Sequence, residues 1–202
     1  MTTRAATGRR RTQPERRAAT RARLLKAAGS VFATRGYHDA TLDEIARQAG
    51  LSKGAVYHHF SSKHELFLTL LSERLEDRLG DFERAFGEDA ALRFTREMER
   101  DPRWAPLFFE FVAHSARDAL ARRAFADRFL RRSRDVLGRV ATERLEEAGL
   151  EPPLSPEELG AVIGALANGM AIERLFDPGS VPEDLLGRAI GLMIPPAGGP
   201  HR

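Results

Sequence analysis

The sequence contains no cysteine among its 202 residues. Disulfide bonds and thiolate metal sites are therefore excluded, and a reducing, cytoplasmic location is expected. The longest apolar run, 161–172, is interrupted by Asn168 and falls short of the about 20 residues that cross a bilayer, so it predicts a buried helix. The arginine-rich start also lacks the apolar segment of a signal peptide. We expect no membrane association.

Lysine is also scarce, with 3 lysines against 29 arginines, and the basic residues are unevenly placed. Residues 1–60 hold 12 basic and 4 acidic residues, whereas residues 61–202 hold 20 basic and 25 acidic residues. A basic head on an acidic body predicts a polyanionic partner that binds at one end only.

Apolar residues recur at helical spacing almost throughout, and no sustained period-2 alternation indicates a strand. We therefore predict an all-α fold. Residues 1–14 are expected to form a disordered basic arm, residues 15–61 a three-helix head, and residues 62–202 a larger helical domain. Helix 62–86 connects the two parts, and further helices are predicted over 89–100, 103–117, 119–148, 155–176 and 182–193.

The head carries two helix starts that are easily recognised. Thr41 and Glu44 form the S/T-x-x-E pattern of a capping box, and the helix they open ends at Gly50. Ser52 then caps a second short helix, whose inward residues are Val56 and Phe60. Two short helices joined by a glycine-containing turn predict a helix-turn-helix, although an ordinary helical corner has the same turn.

The outer face of the second helix favours a nucleic acid partner. Lys53 and Lys63 each follow a serine cap, where the helix dipole disfavours a cation, and no acidic residue lies between positions 51 and 64. A helix start binds phosphate through its free N–H groups, and an adjacent lysine completes the anion site. We therefore interpret the two lysines as a clamp on the DNA backbone.

Individual roles follow from position. Thr41, Tyr57 and Lys63 are expected to hold phosphates, which fix register without reading sequence. Lys53 and His58 are expected to reach base edges in the major groove, with Ala55 as an apolar contact. Gly54 permits either close approach to the DNA or close packing on the preceding helix. The predicted DNA-binding residues are Thr41, Ser52, Lys53, Gly54, Ala55, Tyr57, His58 and Lys63.

The segment ATLDEIARQAGLSKGAVYHHFSSKHELF strongly resembles the DNA-binding signature of the TetR family of bacterial transcriptional regulators, and the resemblance covers residues 20–67. It implies a plan of about nine helices and a homodimer on a palindromic double-stranded operator, usually a repressor that a small-molecule effector releases. The two recognition helices would then lie about 34 Å apart. His58-His59 stands where such regulators commonly carry one histidine, which leaves base reading by His58 open.

The ligand site is predicted around residues 104–117, which are apolar almost all round and therefore typical of a buried helix. Glu110, His114 and Arg117 share one side of this helix. They either satisfy each other in the core or line a cavity for a hydrophobic or aromatic molecule with one polar group. The candidate ligand contacts are Trp104, Phe108, Glu110, Phe111, His114, Arg117, Phe125, Phe129 and Met170.

The last two helices are predicted to form the dimer interface, with packing inside one subunit as the alternative. Gly160 and Gly164 would let helices approach closely. The candidate interface residues are Leu159, Val162, Ile163, Leu166, Leu186, Ile190 and Met193.

Three other functions are alternatives to a DNA-binding regulator. An enzyme would use Glu110 and His114 as an acid–base pair, but no nucleophile motif, phosphate loop or metal cluster accompanies them. A helical ligand-binding protein with secondary DNA binding, or a basic arm acting at membranes, would use the same residues differently. We expect no catalytic residue, cofactor or metal site.

Overall fold

The computed structural model describes residues 12–84, 93, 96 and 102–194, and these residues contain helices and connections but no strand. A six-residue π-helical segment, Ala126–Arg131, joins the helix that ends at Phe125 to the helix that begins at Arg132, in one continuous helical run as predicted for 119–148. The helices are α1 (Gln13–Asp39), α2 (Leu42–Ala49), α3 (Lys53–His59), α4 (Lys63–Arg84), α5 (Trp104–Ser115), α6 (Ala119–Phe125), α7 (Arg132–Glu147), α8 (Pro156–Phe176) and α9 (Leu185–Met193).

Some predictions fall on parts of the chain outside these ranges. Residues 1–11 of the arm predicted over 1–14, most of the helix over 89–100 and the tail after residue 194 lie outside the described residues. The last three residues of the predicted arm are ordered, because Thr12 caps α1 and the helix begins at Gln13. Within the predicted fifth helix only Arg93 and Arg96 are described, and both are helical.

Helix ends in the head follow the local signals in the sequence. The side chain of Thr41 accepts a hydrogen bond from the Glu44 amide at 3.2 Å, and the Glu44 carboxylate accepts one from the Thr41 amide at 3.1 Å. Gly50 ends α2 with φ +63°, and Gly36 interrupts α1 with φ +79°. Both backbone conformations are in the left-handed range that favours glycine.

Ser62 and Glu65 repeat the S/T-x-x-E spacing, which predicts a capping box at the start of α4, and the structure corrects this prediction. Ser62 Oγ accepts from the Glu65 amide at 3.0 Å, as expected. The Glu65 carboxylate, however, accepts from the amide of Ser61 at 2.6 Å and from its hydroxyl at 2.5 Å, and not from the Ser62 amide. Ser61, one residue before Ser62, offers both an amide and a hydroxyl donor, so the Glu65 carboxylate bonds four residues back instead of three.

Helix α4 connects the head to the larger domain and is buried along much of its length. Its N-terminal half buries Leu66, Phe67 and Leu68, and later turns bury Leu75, Leu79 and Phe82. One apolar core therefore runs from the head into the larger domain, with α4 as its shared element.

Helices α7 and α8 cross at a point where neither can carry a side chain. A Cβ added to Gly160 would overlap the backbone carbonyl of Arg134, and one added to Gly138 would overlap that of Pro156. Gly160 therefore serves packing inside the subunit and not the approach of a second subunit, which corrects the expectation from its sequence position. A Cβ at Gly164 would meet no atom within 4 Å.

Replacing Gly160 with alanine should lower the free energy of unfolding by about 1–3 kcal/mol, because backbone atoms that obstruct the methyl group cannot rotate aside. Urea unfolding followed by circular dichroism measures the change. Gly164→Ala is the matched control on the same helix, and it should leave stability unchanged or raise it by up to about 1 kcal/mol through helix propensity. Equal losses in both variants would contradict the packing argument.

Candidate nucleic-acid interface and apolar cavity

The α2–α3 corner is held by backbone and side-chain hydrogen bonds. The amide of Leu51 donates to the Ala46 carbonyl at 2.9 Å, and the Arg23 guanidinium on α1 donates to the Ala49 carbonyl at 2.7 Å. Val56 and Phe60 anchor α3 at 0% and 2% exposure. Sequence reasoning missed Arg23, because nothing in its local pattern distinguishes it from the other arginines of α1.

With that anchor in place, α3 presents a polar and aromatic face to solvent. Ser52, Lys53 and His58 are exposed, and Tyr57 is 51% exposed. Ser52 Oγ accepts from the Ala55 amide at 3.2 Å and so caps the helix as predicted. A Cβ on Gly54 would meet only Ser52 Oγ, at 3.9 Å, so packing against α2 does not require this glycine.

The two lysines are not uncompensated cations, which corrects the premise of the clamp. Lys53 Nζ lies 2.9 Å from the Asp43 carboxylate on α2, and this hydrogen bond is the main cause that raises its pKa. Lys63 Nζ donates to the carbonyls of Tyr37 and His38 at 2.8 and 2.7 Å. The helix-start cations are thus balanced inside the head, by a carboxylate for one and by two carbonyls for the other.

The adjacent histidines have different surroundings. His58 is exposed on the outer face, whereas His59 is partly buried. Burial, and then the neighbouring charges of His58, Arg17 and Arg21, lower the pKa of His59. His59 therefore stays neutral at neutral pH on the inner side of α3, and His58 is the imidazole that can meet DNA.

A cavity of about 130 Å³ opens between α4, α5, α7, α8 and α9. This volume far exceeds the about 15 Å³ that a single water needs. Its wall is largely apolar, with Arg78, Asp81, Arg93, Ser133 and Asn168 supplying polar groups. The apolar wall residues include Leu75, Leu79, Phe82, Trp104, Phe108, Phe109, Phe129, Leu137, Ile163, Ala167, Leu186 and Ile190.

The predicted ligand residues divide into two groups. Trp104, Phe108 and Phe129 line the cavity. The remaining six are not among its wall residues: Glu110, Phe111, His114, Arg117, Phe125 and Met170. The contribution of α4 was missed, because its apolar stripe resembles any core face in the sequence.

The expected Glu110–His114–Arg117 group does not form among the hydrogen bonds of the structure. The Glu110 carboxylate accepts from the backbone amides of Tyr37 and His38 and does not line the cavity. His114 packs its ring 5.1 Å from that of Tyr37, and Arg117 lies exposed beyond the end of α5. Glu110 and His114 therefore make no acid–base pair.

Four predicted interface residues are buried inside the subunit, so the intramolecular alternative holds for them: Leu159, Ile163, Leu186 and Ile190. Helix α8 nevertheless leaves Val162 36% exposed on its outer side. Leu166 and Met193 are partly buried. Sequence periodicity located the apolar helix correctly. The residues on its inner face, however, were predicted to contact a second subunit, whereas they pack inside their own.

By length and composition α8 is also the one helix among the described residues that could cross a membrane. Here it packs along α7 and lines the cavity. Among the same residues, no group of three or more His, Asp or Glu side chains could hold a metal ion.

Comparison with known families decides the assignment. Residues 24–70 match a model of the bacterial regulatory proteins of the TetR family, and residues 88–191 match the C-terminal domain of BetI-type transcriptional repressors. The chain belongs to the TetR family. Membership marks it as a transcriptional regulator and not an enzyme.

Individual relatives agree with this assignment. The transcriptional activator FasR of Mycolicibacterium smegmatis is 42% identical over 97 residues, which are 48% of this chain and 42% of FasR, so the match spans less than half of that relative.

Two solved structures share the fold. GusR of Salmonella enterica has a TM-score of 0.70 at 21% identity, covering 91% of this chain and 97% of GusR. FadR of Bacillus subtilis in complex with stearoyl-CoA has a TM-score of 0.63 at 17% identity, covering 89% of this chain and 99% of FadR.

Asp43→Asn should strengthen DNA binding, because the carboxylate competes with the nucleic acid for the Lys53 ammonium and adds a negative charge to the exposed face of the head. Exposed ion pairs are weak, so the Kd should fall by no more than about fivefold, on specific and random duplexes alike. Fluorescence anisotropy at fixed salt measures this effect.

Glu143→Gln is the matched control for charge, since it removes an exposed carboxylate that pairs with Arg139 on α7. It should leave DNA affinity unchanged. An unchanged Kd for Asp43→Asn, or an equal decrease in both variants, would contradict a DNA-facing role for the Lys53 site.

Proposed function

We propose that this protein is a homodimeric transcriptional repressor that binds a palindromic operator and is released from it by a small hydrophobic or aromatic effector. One observation carries the proposal: the same chain has an exposed, serine-capped α3 in its head and an apolar cavity, lined in part by α4, in its larger domain. The match to BetI-type repressors supports repression. Action on chromosomal DNA would place the protein in the cytoplasm.

The proposed DNA contacts follow the exposed face of α3 and its neighbours. Thr41, Tyr57 and Lys63 hold phosphates, while Lys53 and His58 reach base edges, with Ala55 beside them. An ammonium has three protons, and Lys63 uses two of them on carbonyls, so one remains for a phosphate oxygen. Lys53 exchanges Asp43 for the nucleic acid on binding.

The proposed effector follows from the cavity wall. Aromatic and aliphatic side chains surround an apolar body, and the few polar groups give one polar end a partner. FadR of Bacillus subtilis, which shares this fold, was solved with stearoyl-CoA, an acyl chain on a polar carrier. An amphiphile of that general chemistry would suit the wall described here.

The outer stripe of α8 supports the proposed dimer. Val162, Ala165, Gly169, Ile172 and Phe176 are all exposed, and they recur every three or four residues, so they share one face. Phe176 is 83% exposed, and Leu192 on α9 is 88% exposed. Large exposed apolar groups on adjoining helices mark an interaction surface, and small residues between them permit close helix approach.

Ile172→Glu should convert the dimer to monomer in sedimentation equilibrium and raise the Kd for a palindromic operator by about tenfold or more, because two heads would no longer bind together. Leu120→Glu is the control, since Leu120 is 77% exposed on α6, away from that stripe. It should alter neither property. A monomeric wild-type protein would itself refute the dimer.

The function as a whole is tested by selecting bound fragments from the source genome and then adding candidate effectors. Saturated fatty acids, acyl-CoA thioesters and aromatic acids form a suitable panel, and at least one should release the selected operator. In vitro transcription from the same fragment distinguishes repression from activation. Failure of wild-type protein to select any fragment at low salt would overturn the proposal.

Ala167→Phe should fill the cavity from α8 and abolish release by that effector while leaving operator affinity unchanged, because Ala167 lies on the cavity wall and not in the head. Ala113→Phe adds the same ring on the exposed side of α5 and should respond like wild type. If the effector released Ala167→Phe from the operator at the same concentration as wild type, the effector would bind elsewhere.

A further inference from the structure

The connection between the head and α5 is made at the end of α1. Gly36 interrupts the helix with φ +79° and ψ 172°, and the chain turns before α2. The next two amides, of Tyr37 and His38, donate to Oε2 and Oε1 of Glu110 on α5 at 2.9 and 2.5 Å. One carboxylate, 72 and 73 residues away in sequence, thus receives two adjacent backbone donors.

The same two residues are held from the other side. Their carbonyls accept the hydrogen bonds from Lys63 at the start of α4. The Tyr37–His38 segment therefore lies between an anion that binds its amides and a cation that binds its carbonyls. Charge-assisted hydrogen bonds are roughly twice as strong as neutral ones, so this arrangement restrains the segment.

Packing of aromatic rings also holds the Tyr37–His38 segment in place. Tyr37 is 2% exposed, and its ring lies 5.1 Å from Phe111 and 5.1 Å from His114, both on α5. Burial, with the nearby Glu110 charge, raises the pKa of Tyr37 to about 12, so the phenol stays neutral. The His64 ring stacks on Phe111 at 4.8 Å and extends the contact to α4.

Helix α5 also belongs to the cavity. Trp104, Ala105, Phe108 and Phe109 line it, and Glu110 follows directly in sequence. A rigid helix with cavity residues on one side and a head-binding carboxylate on another connects the two sites within about one turn.

We propose that Glu110 is a positioning residue that sets the orientation of the DNA-reading head relative to the ligand-binding domain. Its carboxylate does not line the cavity, and its hydrogen bonds go to the Tyr37 and His38 amides. The inference rests on the proposed function, because orientation matters only when two heads must match two half-sites.

The test compares two DNA probes. One is the palindromic duplex that wild-type protein selects from the source genome, and the other is a duplex that keeps a single half-site of it. In Glu110→Gln the amide nitrogen would face a backbone N–H donor, so one of the two hydrogen bonds is lost. The Kd for the palindrome should rise by about tenfold, within the usual range of coupling between sites.

The half-site Kd should stay within about twofold of wild type, because one head reads it whatever its orientation. Gly36→Ala provides a second variant, since its Cβ would lie 3.1 Å from Glu110 Oε2 at a positive φ. Gly36→Ala should likewise raise the Kd for the palindrome and leave the Kd for the half-site nearly unchanged. Glu143→Gln is the control and should change neither Kd.

Two results would overturn the proposal. Equal losses on both probes together with a lower Tm would show that Glu110 only supports folding, and wild-type affinity for the palindrome in Glu110→Gln would show that it positions nothing. Failure of wild-type protein to bind any duplex would instead refute the proposed function, so the two failures are distinguishable.

Discussion

The structure depends on the packing of Phe67, which lies where the head core meets the larger domain. It is fully buried on α4 and takes rings from both sides. Its partners are Phe32 at 4.9 Å, Tyr37 at 5.3 Å, Phe111 at 4.5 Å and Trp104 at 5.8 Å. Aromatic pairs contribute about 0.5–1.5 kcal/mol each beyond their buried area. Because two partners come from α1 and two from α5, the head cannot rotate without disturbing the core of the ligand-binding domain.

Both helix-start lysines of the head have partners within the protein before DNA binds. Each helix-start lysine has an internal partner, so the cations that the helix dipole disfavours are already stabilised. At Lys53 we therefore expect DNA to bind by exchange, because the nucleic acid would replace the Asp43 carboxylate. Exchange lowers the net gain from this lysine and leaves affinity dependent on salt. Sequence specificity is then proposed to come from the exposed face of α3, where His58 and, once it leaves Asp43, Lys53 would reach base edges.

Local features of the fold could be predicted from the sequence, whereas partners across the chain could not. The Thr41 capping box and the glycine end of α2 depend on residues within one helical turn, and they form as predicted. Helical spacing placed Glu110 beside His114, but the carboxylate binds amides more than 70 residues away. The same limit explains Ile163 and Leu186: periodicity shows that a face is apolar, but not whether a helix of the same subunit or of a second subunit covers it.

Helix α4 explains how a small cavity change could reach the DNA. Leu75, Leu79 and Phe82 line the cavity, while Lys63 at its other end holds the Tyr37 and His38 carbonyls. From Lys63 to Leu75 is 12 residues, or about 18 Å of helix at 1.5 Å per residue. Close-packed cores transmit strain because they change between discrete arrangements and do not deform continuously. A ligand that separates α5 from α4 would therefore act on both sides of the same two-residue segment, since one helix holds its amides and the other its carbonyls.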